Sequence, residues 1–232
     1  ALGMVAAGIG VYSGYPITPA TSIMDSLASF GSECGLVGEQ AEDEIAAINI
    51  AIGASYAGAR AACGSSGAGI SLMTESIGLA GITETPLVIY NGQRAGPAVG
   101  MATRTEQGDL LFMAHASHGE FPRAILSPSD HEDSFYLTAE AFNIADEFQV
   151  PVFLANDLSM ADSLCTVPAF DPARVQIRRG LFADEPDSLT VLNRYAVTDS
   201  GVSPRAIPAR SNWIVSCDSH EHDEVGHVTD NP

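Results

Sequence analysis

The stretch RAACGSSGAGISLMTESIGLAGITETPLVIYN (residues 60–91) contains two apolar β-type segments separated by a glycine-rich turn and a helical pattern. The first segment, 60–65, runs directly into the turn GSSGAG. The second, 86–91, is a continuous apolar run, which is typical of a strand buried on both faces. A strand, a helix and a second strand in this order indicate a parallel sheet covered by helices.

The same alternation extends outward from this stretch. Further strands are predicted at 10–12, 35–38, 123–127 and 151–156, so the fold class is α/β, a parallel sheet with helices on both faces. One predicted helix carries Ile45, Ile48, Ile52 and Tyr56 on a single face, and another opens with a capping box from Ser129 to Glu132. Residues 1–165 are expected to form this domain. Residues 166–232 are expected to be an irregular linker to a further domain, and the chain is expected to be a piece of a longer protein.

The charge is strongly unbalanced, with 29 acidic residues against 10 basic ones and a net charge of −19. This net negative charge disfavours nucleic acid as a partner. All ten basic residues are arginines, which excludes any chemistry that needs a lysine. Acidity without lysine is typical of salt-adapted chains, so a salt-rich cytoplasm is expected. No apolar run is long enough to span a membrane. Four scattered cysteines are interpreted as buried thiols, and no metal site is predicted from the cysteines or histidines.

Ligands of parallel α/β folds lie outside the carboxyl ends of the strands, where SGYPITP, GEQAEDE, GSSGAG and NGQRAGP fall. In the first of these, Pro16 and Pro19 stiffen the chain around Thr18. Thr18 is then either the N-cap of the next helix, with Pro19 at its first position, or a hydroxyl beside a bound anion. The sequence leaves both readings open.

Two charged residues stand out in the other segments. Most acids of GEQAEDE are explained by the dipole of the following helix, but Glu44 directly precedes its buried apolar face and could bond a heterocycle. Arg94 has no Asp or Glu within five residues on either side, which suits a planar anion. An exposed arginine or a distant ion pair is the alternative for Arg94.

The turn GSSGAG allows a ligand to approach the backbone closely. It also approximates the nucleophile elbow of serine hydrolases, with Ser66 flanked by Gly64 and Ala68. Asp157 followed by His220 or His222 would complete a triad in hydrolase order. A serine hydrolase is therefore kept as an alternative function.

Taken together, the motifs resemble the α subunit of the 2-oxoacid:ferredoxin oxidoreductases, the pyruvate and 2-oxoglutarate ferredoxin oxidoreductase family. The matching strings are GYPITPAT, EDEIAAINIAIGASYAGARA, GSSGAGISLMTESIGLAGITETPLVI, QRAGPAVG and QGDL, in the order and at the spacing of the family's thiamine diphosphate pyrimidine-binding domain. The resemblance covers nearly the whole chain. It rests on long strings and not on isolated dipeptides.

The resemblance implies that thiamine diphosphate lies between this domain and a β subunit, which supplies the Mg²⁺ site and a [4Fe–4S] cluster. Glu44 would bond N1′ of the aminopyrimidine, and Ser66 and Gly67 would approach the cofactor ring. Thr18 and Arg94 would hold the carboxylate and keto oxygen of the 2-oxoacid, with Tyr15 and Pro16 in the pocket wall.

The reaction implied by the resemblance is oxidative decarboxylation of pyruvate or 2-oxoglutarate to acyl-CoA, with coenzyme A as acceptor and electrons passed to ferredoxin. The enzyme would be an αβ heterodimer or a dimer of it. A noncatalytic scaffold subunit is the remaining alternative. Retention of Glu44, Thr18 and Arg94 together argues against it.

Overall fold

The central feature is one six-stranded parallel sheet with the strand order β2-β1-β3-β4-β6-β5. The computed structural model describes residues 1–231. The strands are β1 (Val11–Gly14), β2 (Val37–Gln40), β3 (Ala61–Ser65), β4 (Leu87–Gln93), β5 (Ala124–Leu126) and β6 (Pro151–Asp157). All six predicted strands are present, and the α/β prediction is confirmed.

Helices cover both faces of the sheet, and each face has its own apolar core. The helices are α1 (Leu2–Ala6), α2 (Thr21–Cys34), α3 (Glu44–Tyr56), α4 (Gly67–Leu72), α5 (Thr74–Ile82), α6 (Leu110–His115), α7 (His131–Phe148) and α8 (Leu158–Asp162). One core joins α1, α2 and α7 to the sheet around Leu27 and Phe142. The other joins α3, α4, α5 and α6 to the opposite face around Ile48, Ile77 and Phe153. Every residue of β3 and β4 is buried, as their continuous small and apolar runs predict.

The predicted start of α2 is wrong. The helix begins at Thr21 with Ala20 as its N-cap residue, so Thr18 is not the N-cap and Pro19 is not its first residue. Instead, the carbonyl of Ile17 accepts hydrogen bonds from the amides of Ala20 and Thr21, which form a turn ahead of the helix. Pro19 is buried, and a Cβ on Gly92 of β4 would lie 2.6 Å from its Cγ. Pro19 therefore packs against β4 at Gly92.

Two other helix predictions need correction. The buried face of α3 is formed by Glu44, Ala47, Ile48, Ala51, Ile52 and Ser55, whereas Ile45 and Tyr56 are exposed. The N-cap of α7 is Asp130, whose carboxylate accepts from the amide of Asp133 at 2.8 Å. Ser129 lies one residue outside the helix and donates to Asp133, so the predicted box from Ser129 to Glu132 is displaced by one residue.

The segment 166–231 has little regular structure, as predicted, but ion pairs with one buried carboxylate join it to the domain. It contains one turn of 3-10 helix (Pro172–Arg174) and two short paired strands, β7 (Thr190–Val191) and β8 (Trp213–Ile214). Asp146 of α7 forms ion pairs with Arg60 at 2.8 Å, Arg179 at 2.9 Å and Arg205 at 2.7 Å. Two of these three arginines belong to the segment. Pro232, the last residue of the predicted linker, lies outside the described residues.

Within residues 1–231, no helix is both long and apolar enough to cross a bilayer. The interpretation of all four cysteines as buried thiols is wrong. Cys63 is buried, Cys34 and Cys165 are exposed, and Cys217 is half-buried.

Candidate active site

The predicted site segments meet at the carboxyl edge of the sheet. In the parallel register, Gly14 at the end of β1 lies beside Gln40 of β2 on one side and Gly64 of β3 on the other. On the next pair, Ser65 lies beside Asn91 of β4. The turn after β1, the start of α3, the GSSGAG turn and Arg94 are therefore neighbours, as the sequence predicts.

Arg94 follows β4 and is buried, with 8% of its surface exposed. Its Nη1 donates to the carbonyl of Thr18 at 2.9 Å and its Nη2 donates to the carbonyl of Val99 at 3.1 Å. Within residues 1–231, no carboxylate forms an ion pair with it, so its alternative reading as an exposed arginine or a distant ion pair is wrong. A guanidinium held by neutral carbonyls keeps its full charge available to a bound anion.

Thr18 contacts Arg94 through its backbone carbonyl and not through its side chain. Its side chain is exposed, it does not cap α2, and its hydroxyl makes no hydrogen bond within the described residues. Tyr15 and Pro16, which precede it, are also exposed. The loss of the capping role leaves the Thr18 hydroxyl free to bond a ligand.

Glu44 is the first residue of α3 and is buried, with 6% exposed, whereas Glu39, Glu42 and Asp43 lie at the surface. Asp43 is the N-cap and accepts from the amide of Ala46 at 2.7 Å, so helix capping does not require Glu44. A Cβ on Gly69 would lie 2.8 Å from the Oε1 of Glu44 and would also overlap the Oγ of Ser65. Glu44 therefore occupies a space that only glycine at 69 leaves open, and it forms no ion pair or hydrogen bond within residues 1–231.

The GSSGAG turn carries buried polar atoms without partners. Ser66 precedes α4, is fully buried, and its Oγ has no hydrogen-bond partner in the described structure. The same holds for the Oγ of Ser65 and the Oδ1 of Asn91. Unpaired buried polar atoms are costly, which marks these three as groups that a polar ligand would satisfy. With the carboxylate of Glu44, they fit a heteroaromatic ring that has nitrogen donors and acceptors.

Cys63 lies just before this turn but is not a candidate nucleophile. It is fully buried, and burial raises the pKa of its thiol to about 12. The thiol therefore stays protonated at neutral pH.

The geometry does not assemble the alternative serine hydrolase. Asp157 caps α8 by accepting from the amide of Met160 at 2.8 Å, and it also accepts from Gln107 at 2.6 Å. The ring of His222 contacts that of Tyr195 in a tilted arrangement, with ring centroids 3.9 Å apart, and its Nδ1 forms a hydrogen bond with the carbonyl of His220. Ser66 thus has no base within hydrogen-bond distance in residues 1–231.

Sequence reasoning missed three residues of this edge: Gly69, Asn91 and Asp109. Asn91 donates from Nδ2 to the Oδ2 of Asp109 at 3.1 Å, across 18 positions of sequence. Asp109 lies in the string QGDL, which contributed to the resemblance but carried no assigned role. Only the fold brings it to the end of β4.

These features define an α/β domain with a candidate ligand site at the carboxyl ends of β1, β3 and β4. The family model described as "Pyruvate flavodoxin/ferredoxin oxidoreductase, thiamine diP-bdg" matches residues 2–231. The chain belongs to this family, and the resemblance found in the sequence is confirmed.

Individual relatives agree with this assignment. The chain is 39% identical over its full length to the α subunit of 2-oxoacid:ferredoxin oxidoreductase 2 of Aeropyrum pernix, of which it covers 38%. It is 46% identical over 67% of its length to the 2-oxoglutarate synthase subunit KorA of Archaeoglobus fulgidus, of which it covers 45%.

A solved structure is similar over the whole chain. The 2-oxoglutarate:ferredoxin oxidoreductase of Magnetococcus marinus, with 2-oxoglutarate, coenzyme A and succinyl-CoA bound, superimposes with a TM-score of 0.94 and 37% identity. All of the present chain is covered, and 40% of that chain. The chain thus spans about two fifths of the length of these full-length relatives.

Proposed function

We propose that this chain forms the pyrimidine-binding part of the α subunit of a 2-oxoacid:ferredoxin oxidoreductase. The observation that carries the proposal is the position of Glu44. This buried carboxylate does not cap its helix, and it lies against the GSSGAG turn beside buried hydroxyls that have no hydrogen-bond partner in residues 1–231. Family membership and the α-subunit names of its relatives support the same function. Residues 1–165 would form the domain, and 166–232 would lead into the next domain of the full subunit.

Bound thiamine diphosphate would supply a carbanion that adds to the keto carbon of the substrate and makes loss of CO₂ possible. Glu44 would accept a hydrogen bond from N1′ of the pyrimidine and hold the proton there. Ser66 and Gly67 would lie against the ring, where burial excludes water from the charged carboxylate. The role of these residues is therefore orientation and control of one proton.

The substrate would be held by Arg94 and Thr18. Arg94 offers a buried positive charge that lacks a carboxylate partner within residues 1–231, and the adjoining Thr18 has a free hydroxyl. A 2-oxoacid presents a carboxylate and a keto oxygen side by side, which matches a guanidinium and a hydroxyl. Tyr15 and Pro16 would form the exposed wall of the same pocket. Pyruvate and 2-oxoglutarate are the two substrates proposed, with coenzyme A as acyl acceptor.

The partner would be a β subunit that contributes the Mg²⁺ and diphosphate site and a [4Fe–4S] cluster, with ferredoxin as electron acceptor. The α-subunit names of the relatives support a partner subunit. The assembly would be an αβ heterodimer, or a dimer of it, in the cytoplasm.

The test is to assemble the full-length α subunit with its β subunit and measure ferredoxin reduction with pyruvate and with 2-oxoglutarate. We expect reduction that requires thiamine diphosphate, coenzyme A and one of the two acids. No reduction with either acid in an assembled complex loaded with cofactor would contradict the proposal. Ester hydrolysis that is lost in Ser66→Ala and indifferent to thiamine diphosphate would favour the hydrolase instead.

A further inference from the structure

Two carboxylates contact the GSSGAG turn (residues 64–69), one beside Gly67 and the other beside Gly69. A Cβ on Gly69 would lie 2.8 Å from the Oε1 of Glu44, and a Cβ on Gly67 would lie 2.6 Å from the Oδ2 of Asp109. Real Cβ atoms do not approach oxygen so closely, so an alanine at either position would force the carboxylate beside it to move. The proposed function gives a role to Glu44 and none to Asp109.

Asp109 is fixed in place by β4. Its amide donates to the Oε1 of Gln93 at 3.0 Å, and its Oδ2 accepts from the Nδ2 of Asn91 at 3.1 Å. Gln93 and Asn91 are both buried residues of the strand, and within residues 1–231 no arginine forms an ion pair with Asp109. Residues at the end of β4 therefore hold the carboxylate of Asp109 in contact with the turn at Gly67.

The contact with Asp109 determines how Asn91 is presented. The Nδ2 of Asn91 is used by Asp109 and by the sulfur of Met113, at 3.4 Å. Its Oδ1 stays buried without a partner, next to Ser65 in the sheet register, whose Oγ is also unpaired. If the side-chain amide of Asn91 were flipped, its NH2 group would point toward Ser65 and the hydrogen bond to Asp109 would be lost.

We propose that Asp109 is a positioning residue for the cofactor ring. It acts in two ways. Its hydrogen bond orients the amide of Asn91 so that Oδ1 is available as an acceptor, and its carboxylate packs against Gly67 and so fixes the position of the turn. The ligand group recognised by this acceptor is an N–H or amino donor on a heteroaromatic ring. This inference rests on the proposed function and extends it to residues outside the substrate pocket.

The test uses the full-length α subunit assembled with its β subunit and compares Asp109→Ala, Asp109→Asn and Asp157→Asn. Asp157 is the matched control, because it lies at the same carboxyl edge of the sheet, beside Gln93, and accepts from Gln107 of the same loop at 2.6 Å. The other hydrogen bond of its carboxylate comes from the amide of Met160, and it has none to Asn91 or to the turn. The readouts are the Kd of thiamine diphosphate at fixed Mg²⁺ and the rate of hydrogen exchange at C2 of the bound cofactor.

We expect Asp109→Ala to raise the Kd at least tenfold and to slow C2 exchange. Asp109→Asn should do so by less than threefold, since its side-chain oxygen still accepts from Asn91, and Asp157→Asn should stay within twofold of wild type. A lower melting temperature with unchanged Kd and exchange in Asp109→Ala would reduce Asp109 to a structural residue and overturn the proposal.

A double-variant comparison tests the contact with the turn itself. Gly67→Ala should raise the Kd strongly in the wild-type background, because its methyl group meets the carboxylate, and much less in the Asp109→Ala background. Equal effects in both backgrounds would contradict the contact. If the wild-type complex shows no dependence on thiamine diphosphate at all, the proposed function fails; if it does and Asp109→Ala matches wild type, this inference alone fails.

Discussion

The guanidinium of Arg94 donates to the backbone carbonyl of Thr18 at 2.9 Å, which joins the end of β4 to the turn after β1. Because the same guanidinium also bonds the carbonyl of Val99, one side chain organises three segments around the proposed substrate. The planar fork makes both bonds at once. A lysine ammonium at this position would offer a single charged point on a flexible stem.

Arg94→Lys is therefore expected to lower kcat/KM for the 2-oxoacid at least tenfold in the assembled enzyme, which corresponds to about 1.4 kcal/mol of transition-state stabilisation. The measurement is steady-state ferredoxin reduction at several substrate concentrations. An unchanged kcat/KM in a folded Arg94→Lys enzyme would count against Arg94 as a substrate ligand.

Because Thr18 does not cap α2, its proposed role in substrate binding can be tested separately from helix stability. Since α2 is not capped by Thr18, Thr18→Ala should leave the melting temperature unchanged while it lowers kcat/KM about tenfold through loss of one charge-assisted hydrogen bond. Thr18→Ser keeps the hydroxyl and is the control, with a mild effect expected. A loss of stability near 1 kcal/mol with full activity is the signature of a cap and would refute the substrate role.

The sequence predicted the sheet well because strand positions depend on local apolar patterns, and β3 and β4 are buried over their whole length. The start of α2 was mispredicted because local rules for proline cannot show that Pro19 is buried beside Gly92 of a distant strand. Glu44 and Arg94 were found because each stands out from its own neighbours. Asn91 and Asp109 were missed because their pairing exists only once β4 and the start of α6 have folded together.

Asp146 should be a major contributor to the stability of the segment 166–231. It is buried, and its carboxylate balances three arginines, two of them in that segment. Asp146→Asn leaves these arginines without their counter-charge, so the free energy of unfolding should fall by about 3 kcal/mol. Denaturant unfolding of the full-length subunit measures this, and faster proteolysis within 166–231 should accompany it.

The matched control is Glu132→Gln. Its ion pair with Arg174 is long, at 3.7 Å, and both side chains are exposed, so a change within about 0.5 kcal/mol is expected. Equal effects of the two substitutions would show that the buried cluster has no special role.

The high negative charge predicts that salt stabilises this protein. With 29 acidic and 10 basic residues, repulsion within the folded chain is screened as the Debye length falls to about 3 Å in molar salt. The melting temperature should rise between low and molar KCl. A flat or falling melting temperature would remove the case for salt adaptation.

Thiol reactivity should distinguish the cysteines by burial and pKa. Burial raises the pKa of Cys63 to about 12, so its thiol stays protonated at pH 8. Because a raised pKa disfavours the thiolate below about pH 12, Cys63 should resist alkylation in the folded subunit, while the exposed Cys34 reacts readily. Mass spectrometry after timed iodoacetamide treatment checks this. Labelling of Cys63 at the rate of Cys34 under native conditions would contradict its burial.

In the proposed function, Glu44 controls the proton of a thiamine cofactor bound against the GSSGAG turn. The most direct measurement is hydrogen–deuterium exchange at C2 of thiamine diphosphate bound to the assembled full-length enzyme, in wild type and in Glu44→Gln. We predict that Glu44→Gln slows this exchange by at least a hundredfold, while the affinity for the 2-oxoacid, held by Thr18 and Arg94, stays within about threefold of wild type. Exchange at the wild-type rate in a Glu44→Gln enzyme with cofactor bound would contradict the account.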